Sequence, residues 1–367
     1  MEFGLNDSQQ LLRDNARKFF AAECPMALVR KLLETDTAHD AALWSKMAEQ
    51  GFTGIVSPEE YDGAGLGKVE LILLMEEAGR ALLPGPFFST VVLAGSVLNS
   101  LGSAEQKKKY LTPICRGEAR ATVAMLESTA NWDPTAAQVS VAIGKLTGEK
   151  LFVPDAAAAD YIIVVARNGV YITGAKAPGI QIAPMSGMDL TRKLYTVRFD
   201  GTPVEKLGEL AGLSPALDLA TAALAAELVG GMQRTLDITV EYAKTRKQFG
   251  KPIGIFQAVQ HQCADMYLET ESSRSAAYYA AWTLEVDAPD SAAAVSIAKM
   301  YASDAARTVG NRGIQVHGGM GFTWENDLHL YYRRAKSTET MLGDATFHRE
   351  RLARLVIDSA ARSAKSA

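Results

Sequence analysis

The chain has 367 residues, of which 48% are hydrophobic and 22% are charged, and its formal net charge is −4. A chain of this length has room for about two or three domains, and its mildly acidic balance argues against a general nucleic-acid-binding protein. Cys24, Cys115 and Cys263 lie far apart, so they indicate neither a disulfide framework nor a metal knuckle, and we expect a cytoplasmic protein.

The hydropathy pattern indicates neither export nor a membrane. The first residues are polar and amphipathic, unlike the basic run and apolar core of a secretory signal. No apolar run approaches the ~20 residues that span a bilayer, so we expect no membrane insertion.

Residues 1–117 are predicted to form a helical domain. Apolar residues recur at helical spacing from residue 7 to residue 23, with Asp7 or Ser8 as the expected N-cap. Further helices are predicted over residues 41–52 and 69–83, and another ends at Gly102.

Residues 118–208 are predicted to form a small β-domain. Short segments rich in β-branched and aromatic residues are separated by Gly, Asp, Asn and Pro, which is typical of antiparallel strands.

Residues 209–367 are predicted to form a helical bundle. A long helix is expected from Pro215 towards Gly250, and it contains Gly230 and Gly231, which cost stability unless a neighbour packs closely against them. Later helices are expected from Pro252, from near Ser291, and twice after Gly321. The fold class is therefore mainly α with a small central β-domain.

No metal site is predicted. The five histidines show none of the spacings with histidine or cysteine that bind zinc.

Two segments of the bundle contain candidate binding residues. In YAKTRKQFGKPIGIFQAVQHQCADM, residues 242–266, Arg246 lies where the long helix ends, and its guanidinium suits a phosphate. The alternative is an arginine that only complements the helix dipole.

The second segment is QVHGGMGFTWENDLHLYYRRAK, residues 315–336. Gly318, Gly319 and Gly321 permit a ligand to approach the backbone, and Gln315 has an amide for hydrogen bonding. The alternative is a simple turn between helices.

Together these segments resemble the acyl-CoA dehydrogenase family, and the resemblance covers essentially the whole chain. PEEYDGAGLG, residues 58–67, is similar to an N-terminal turn of the same family. The matching residues in the bundle are Arg246, Gln248, Phe249, Gly250, Pro252, Ile253, Phe256, Gln257, Ala264, Asp265, Met266, Gln315, Gly318, Gly319, Gly321 and Phe322.

This resemblance implies an N-terminal helical domain, a central antiparallel β-domain and a C-terminal four-helix bundle. It implies FAD as cofactor and an acyl-CoA thioester as substrate, which loses an α-proton to a carboxylate and a β-hydride to the flavin. It also implies residues that hold the ADP half of a flavin whose ring lies in a neighbouring subunit: Arg246, Gln248, Phe249, Gln257, Gln315, Gly318 and Gly319.

The chain departs from the family where a catalytic base is needed. The usual glutamate position is Leu342, and the alternative family position aligns near Ala220. The segments that line the flavin ring in the family are here LESTANWD, residues 126–133, and FVPD, residues 152–155. They keep Glu127 but place Pro154 where a hydroxyl residue is usual.

These departures resemble the small subunit of heteromeric α2β2 acyl-CoA dehydrogenases that act on pimeloyl-type or steroid side-chain CoA thioesters. We therefore predict a chain that contributes FAD contacts to a second acyl-CoA dehydrogenase subunit carrying the catalytic glutamate. Two alternatives stay open. One is a complete homotetramer with a displaced base, Asp344 before Glu339, and the other is a scaffold without flavin.

Overall fold

The computed structural model describes residues 4–358, so the extreme ends of the first and third predicted domains lie outside it. Helices precede and follow a block of strands, which confirms the predicted fold class. The α-helices are α1 (Asp7–Glu23), α2 (Met26–Leu33), α3 (Ala41–Glu49), α4 (Lys68–Arg80), α5 (Gly95–Leu101), α6 (Ala104–Gln106), α7 (Thr112–Cys115), α8 (Ser214–Thr245), α9 (Gln257–Glu285), α10 (Ser291–His317), α11 (Leu328–Thr340) and α12 (Ala345–Ala353).

The chain divides into two compact units that do not follow simple sequence order. Unit 1 contains the described parts of Met1–Met26, Lys68–Leu83 and Thr221–Ala367, and unit 2 contains Ala27–Gly67 and Pro84–Ala220. Helix α8 therefore begins in unit 2 and continues in unit 1.

Unit 2 contains two four-stranded sheets. One has the order β1-β4-β5-β8 and the other the order β2-β3-β7-β6. The strands are β1 (Ala121–Ala124), β2 (Ser140–Ala142), β3 (Lys145–Pro154), β4 (Tyr161–Ala166), β5 (Gly169–Gly174), β6 (Ile180–Met185), β7 (Leu194–Pro203) and β8 (Glu205–Gly208).

The expectation of purely antiparallel pairing is wrong at one place. Strand β1 pairs in parallel with β4, from Ala121 beside Tyr161 to Ala124 beside Val164. The chain between them enters the other sheet as the β2–β3 hairpin and then returns, and such a long connection permits parallel pairing. The other strand pairs of the two sheets are antiparallel.

A buried apolar cluster forms the core of these sheets. Its members include Leu146, Ile162, Val164, Val197 and Phe199, each at most 1% exposed. Alternation along the strands directs these side chains to one face, which is the pattern that the sequence displays.

Within unit 1, α4 and α8 cross at two glycines. A Cβ atom on Gly230 would lie 1.8 Å from the Glu76 carbonyl oxygen, and one on Gly79 would lie 2.1 Å from that of Glu227. The close neighbour expected at Gly230 is therefore confirmed, whereas nothing lies within 4 Å of a Cβ atom on Gly231. The crossing needs glycine because two helix backbones touch there.

Several helix ends differ from the predictions. Asn6, not Asp7 or Ser8, caps α1, and it forms a capping box with Gln9. Helix α8 ends at Thr245, and α9 begins at Gln257 rather than at Pro252. Between them lie the two-residue strands β9 (Lys247–Gln248) and β10 (Lys251–Pro252), because a tight turn interrupts the helical pattern.

Helix α8 is more apolar than the sequence patterning suggested. The stretch Leu210–Thr245 is long and apolar enough to cross a membrane by length and composition, but 78% of its most apolar window is buried in the protein. The core helix of a globular protein has the same properties, so this is weak evidence for a membrane span.

Candidate functional site

The first predicted binding segment forms a hairpin in unit 1. Strand β9 pairs with β10, and the backbone N–H of Ile253 donates to the Arg246 carbonyl at 2.8 Å. The turn contains Phe249 and Gly250, with φ values of 53° and 76°. This geometry holds Phe249 outwards, with 90% of its surface exposed.

The hairpin carries positive charge that its surroundings do not neutralise. Arg246, Lys247 and Lys251 are exposed, and in residues 4–358 none of them forms an ion pair. The nearby Lys244 does pair, with Glu241 at 2.6 Å. An exposed guanidinium on the same hairpin as two ammonium groups suits a diphosphate, because Arg can bind phosphate oxygens in a bidentate manner.

The second segment lies at the end of α10. Gln315 is exposed, and the helix stops at Gly318, whose φ of 60° favours glycine. Nothing lies within 4 Å of where a Cβ atom would stand on Gly318 or Gly319. The backbone of these two residues is therefore open to a ligand.

Two residues that the sequence analysis did not single out bring the segments together. The rings of Tyr242 and His317 stack with centroids 4.2 Å apart and planes inclined by 22°. The Tyr242 hydroxyl lies 3.5 Å from the His317 carbonyl oxygen, to which it donates. Tyr242 is one helical turn before Arg246 and His317 directly precedes Gly318, so the end of α8 and the end of α10 lie side by side.

The orientation of the His317 ring is fixed by its hydrogen bond. Its Nδ1 lies 2.8 Å from the Gly313 carbonyl oxygen, so Nδ1 carries the proton and donates. Burial lowers the pKa of the imidazole. In the sequence, Tyr242 lies one helical turn before Arg246, and His317 directly precedes Gly318. This proximity to the predicted binding residues was the only sign in those segments that the two rings matter.

Of the other predicted residues, Gln248 and Gln257 are also exposed, the first in β9 and the second at the start of α9. The predicted residues thus supply amide, guanidinium and backbone groups on the surface of unit 1. These donors suit the diphosphate and adenosine end of a dinucleotide, whose oxygen and nitrogen atoms accept hydrogen bonds.

Leu342 is a buried, apolar residue at a turn in the backbone. It is 5% exposed, with a φ of 56°, and Gly343 follows with a φ of 102°. Ala220 in α8 is fully buried. Neither side chain can accept a proton.

A buried lysine and a buried histidine hold this turn. Lys299 Nζ donates to the carbonyl oxygens of Glu339 and Gly343 at 2.9 and 2.8 Å, and burial lowers its pKa to about 7. His348 Nε2 lies 3.1 Å from the Leu342 carbonyl oxygen, and burial lowers the pKa of His348 to about 3. The turn is therefore fixed by its carbonyl groups and does not depend on the Leu342 side chain for hydrogen bonding.

The two carboxylates nearest this turn in sequence have other contacts. Asp344 is exposed and caps α12 by accepting from the Phe347 N–H at 2.8 Å. Glu339 pairs with Lys336 at 3.1 Å and with Arg307 at 3.6 Å.

In unit 2, the Glu127 carboxylate accepts hydrogen bonds from nearby backbone groups and from a buried lysine. It accepts from Lys150 Nζ at 2.6 Å and from the backbone N–H groups of Gln138 and Val139. Burial opposes ionisation, but these donors lower the pKa of Glu127. Lys150 is fully buried, so the pair ties residue 127 to strand β3.

Metal ligation finds no support in the part of the chain that the structure describes. No group of three or more His, Cys, Asp or Glu side chains converges there in a way that suits a metal ion.

Comparison with known families decides the assignment. Residues 6–118 match the family description "Acyl-CoA dehydrogenase, N-terminal domain", and residues 213–357 match "Acyl-CoA dehydrogenase, C-terminal domain". The chain belongs to the acyl-CoA dehydrogenase family. It is 33% identical over 337 residues to acyl-CoA dehydrogenase IpdE2 of Mycobacterium tuberculosis, covering 92% of this chain and 93% of that protein.

Solved structures of other proteins show the same fold. A chain from a variant of the Tcur3481-Tcur3483 steroid acyl-CoA dehydrogenase superposes with a TM-score of 0.89 at 32% identity, covering 97% of this chain and 99% of that one. A chain of the ChsE4-ChsE5 complex from Mycobacterium tuberculosis gives 0.88 at 28% identity, covering 96% and 98%. The chain is thus an oxidoreductase of this family, and its cofactor is FAD.

Proposed function

We propose that this chain is the non-base subunit of a heteromeric acyl-CoA dehydrogenase. It binds the ADP half of an FAD whose ring lies in a partner subunit, and that partner carries the catalytic glutamate. The observation that carries the proposal is the contrast between two places in the chain. The exposed cations of the Arg246 hairpin beside Gly318 are kept, whereas both base positions, Leu342 and Ala220, are buried and apolar.

The ADP-binding role rests on charge and backbone access. In this role Arg246 binds the diphosphate, the amides of Gln248 and Gln315 hydrogen-bond polar groups, and Gly318 and Gly319 allow close approach. Phe249 offers an exposed ring for stacking. FAD, when bound, supplies the acceptor for the β-hydride of the acyl thioester.

The proposal that the partner carries the catalytic base rests on the lack of a proton acceptor at Leu342 and Ala220. Removing an α-proton requires a base within hydrogen-bond reach of the substrate, and hydrocarbon side chains cannot supply one. Asp344 caps a helix, which is a sufficient reason for a carboxylate at that position. The complete homotetramer with Asp344 as base is therefore the second candidate, and a scaffold without flavin is the third.

The substrate class rests on the relatives. The steroid acyl-CoA dehydrogenase among them favours a bulky CoA thioester over a short straight chain, and the ChsE4-ChsE5 complex favours a second, different subunit. The cysteines of this chain are free and widely spaced, and we therefore place the complex in the cytoplasm.

The test is expression of this chain alone and together with a second acyl-CoA dehydrogenase chain that has a glutamate at either base position. The lone chain should retain little flavin, and the co-expressed complex should be yellow, with about half as many flavins as chains. Native mass spectrometry and absorbance at the flavin maximum measure both. A stable homotetramer with a flavin in every chain that oxidises acyl-CoA would refute the proposal, and a colourless complex would favour the scaffold.

A further inference from the structure

A cavity in unit 1 is lined by none of the residues proposed to hold the ADP half of FAD, although Asp327 and Tyr331 belong to the second segment. Its volume is about 350 Å³, within the range of small-molecule sites. Helices α1, α4, α8 and α11, the first residue of α2, and residues next to the ends of α1, α4 and α11 form its walls. The lining residues are Arg17, Phe20, Ala21, Cys24, Pro25, Met26, Glu77, Arg80, Ala81, Arg234, Ile238, Asp327 and Tyr331.

The inner wall of the cavity is largely apolar. Phe20 is 1% exposed, Cys24 and Tyr331 are each 4% exposed, and Ile238 and Met26 are half-buried. The Tyr331 hydroxyl is engaged, since it donates to the Arg80 carbonyl oxygen at 2.9 Å. A hydrocarbon group in this space would displace water from apolar surface, which is favourable.

Two of the lining arginines are neutralised by carboxylates. Arg17 forms two hydrogen bonds to Glu77, at 3.0 and 2.6 Å, and Glu77 is buried. Arg80 pairs with Asp237 at 2.6 Å. These ion pairs neutralise both guanidinium groups.

Arg234 differs from the other two. It is exposed at the cavity, and among the described residues it forms no ion pair. Its positive charge lies close enough to the Tyr331 hydroxyl to oppose the rise that burial causes in the pKa of that hydroxyl. Three carboxylates balance these three arginines, because Glu77 pairs with Arg17, Asp237 pairs with Arg80 and Asp327 also lines the cavity. The charge available to a ligand is therefore that of the exposed Arg234 guanidinium.

We infer that this cavity binds a small carboxylate with an apolar tail. The carboxylate lies against Arg234, where a bidentate contact is possible and water remains accessible, and the tail lies towards Phe20 and Ile238. A carboxylate fits better than a compact inorganic anion, because most of the inner wall has no polar group to offer.

The test is calorimetric titration of the full chain with acetate, butyrate and hexanoate at constant ionic strength, with inorganic phosphate for comparison. Affinity should rise roughly fourfold for each methylene that becomes buried, and phosphate should bind no better than acetate. Equal affinity for acetate and hexanoate, stronger binding of phosphate, or no binding of any carboxylate would overturn the inference.

A pair of variants locates the site. Arg234→Gln should weaken butyrate and hexanoate binding at least about tenfold, the loss of one charge-assisted contact. Arg349→Gln removes another exposed arginine of unit 1, which pairs with Asp304 and does not line the cavity, so it should leave the affinities unchanged. An Arg234→Gln protein that binds hexanoate like the wild type would contradict the placement.

Discussion

At the scale of single residues, the stacked pair Tyr242–His317 is the least obvious part of the proposed FAD site. Neither side chain needs to touch the cofactor, but each precedes a residue of the proposed FAD site, and their contact brings the two segments together. We therefore propose that Tyr242 positions Arg246 and Gly318.

Replacing Tyr242 with alanine should weaken FAD retention by the co-expressed complex about tenfold, because preorganisation of the two segments is lost. Tyr242→Phe keeps the stacking and removes only the 3.5 Å hydroxyl contact, so it should retain FAD almost normally. Flavin fluorescence during dialysis measures both variants, and equal retention by wild type and Tyr242→Ala would show that the pair has no positioning role.

His348 gives a prediction about pH. Its pKa is lowered to about 3 in the folded chain, below the ~6.5 of an unfolded histidine, so between these values the unfolded state binds the additional proton. Stability is therefore lost as the pH falls from about 6.5 towards 3, at up to about 1.4 kcal/mol per pH unit from this residue.

Denaturant unfolding at several pH values should show a shallower acid slope for His348→Gln than for the wild type. The same slope in both proteins would mean that another group dominates the acid response.

Asp344 allows a direct choice between a capping and a catalytic role. Asp344→Asn keeps a good N-cap and should change the stability by only a few tenths of a kcal/mol, and Asp344→Ala should cost about 1 kcal/mol. If the partner carries the base, both variants should leave the turnover of the complex intact. Loss of turnover in the stable Asp344→Asn complex would assign the base to this chain.

At the scale of secondary-structure elements, the α4–α8 crossing is the most constrained contact. Gly230→Ala would force a Cβ atom against the Glu76 carbonyl and should destabilise the chain by about 1–3 kcal/mol or more. Gly231→Ala is the matched control, because its Cβ atom meets open space. It should stabilise the helix by about 0.5–1 kcal/mol.

Thermal unfolding of the two variants checks this contrast. Equal shifts of Tm in the same direction would argue against a backbone contact at Gly230.

Local patterning predicted most of the elements, and the errors have physical causes. Period and capping signals placed α3, α10, α11 and most strands, because amphipathic spacing is a local property. The start of α9 was misplaced because Pro252 suits a first helical turn and equally the end of the short strand β10. The parallel β1–β4 pair depends on a contact between residues 40 apart in sequence, such as Ala121 and Tyr161, which no local pattern contains.

The candidate site could be predicted in part. Its residue types followed from the resemblance of the two segments, but the Tyr242–His317 stack and the Lys299 contacts are tertiary. A lysine among alanines on a helix gives no sign that its ammonium is buried beneath the Leu342 turn.

At the scale of the whole molecule, the chain has only part of what acyl-CoA dehydrogenation requires. The chain keeps the fold of an acyl-CoA dehydrogenase and the surface cations that suit the ADP half of FAD. At Leu342 and Ala220, the two positions predicted for the base, it has hydrocarbon side chains that cannot accept a proton. A partner that carries the glutamate makes these observations consistent, since each subunit then supplies what the other lacks.

The flavin content of the co-expressed complex after Arg246→Ala in this chain, with Arg349→Ala as control, tests the proposed FAD site. Arg246→Ala should leave the assembly intact by native mass but remove most of its FAD, whereas Arg349→Ala should retain it, because only Arg246 lies at the proposed diphosphate. Full FAD occupancy in the Arg246→Ala complex would show that this chain does not hold the cofactor for its partner.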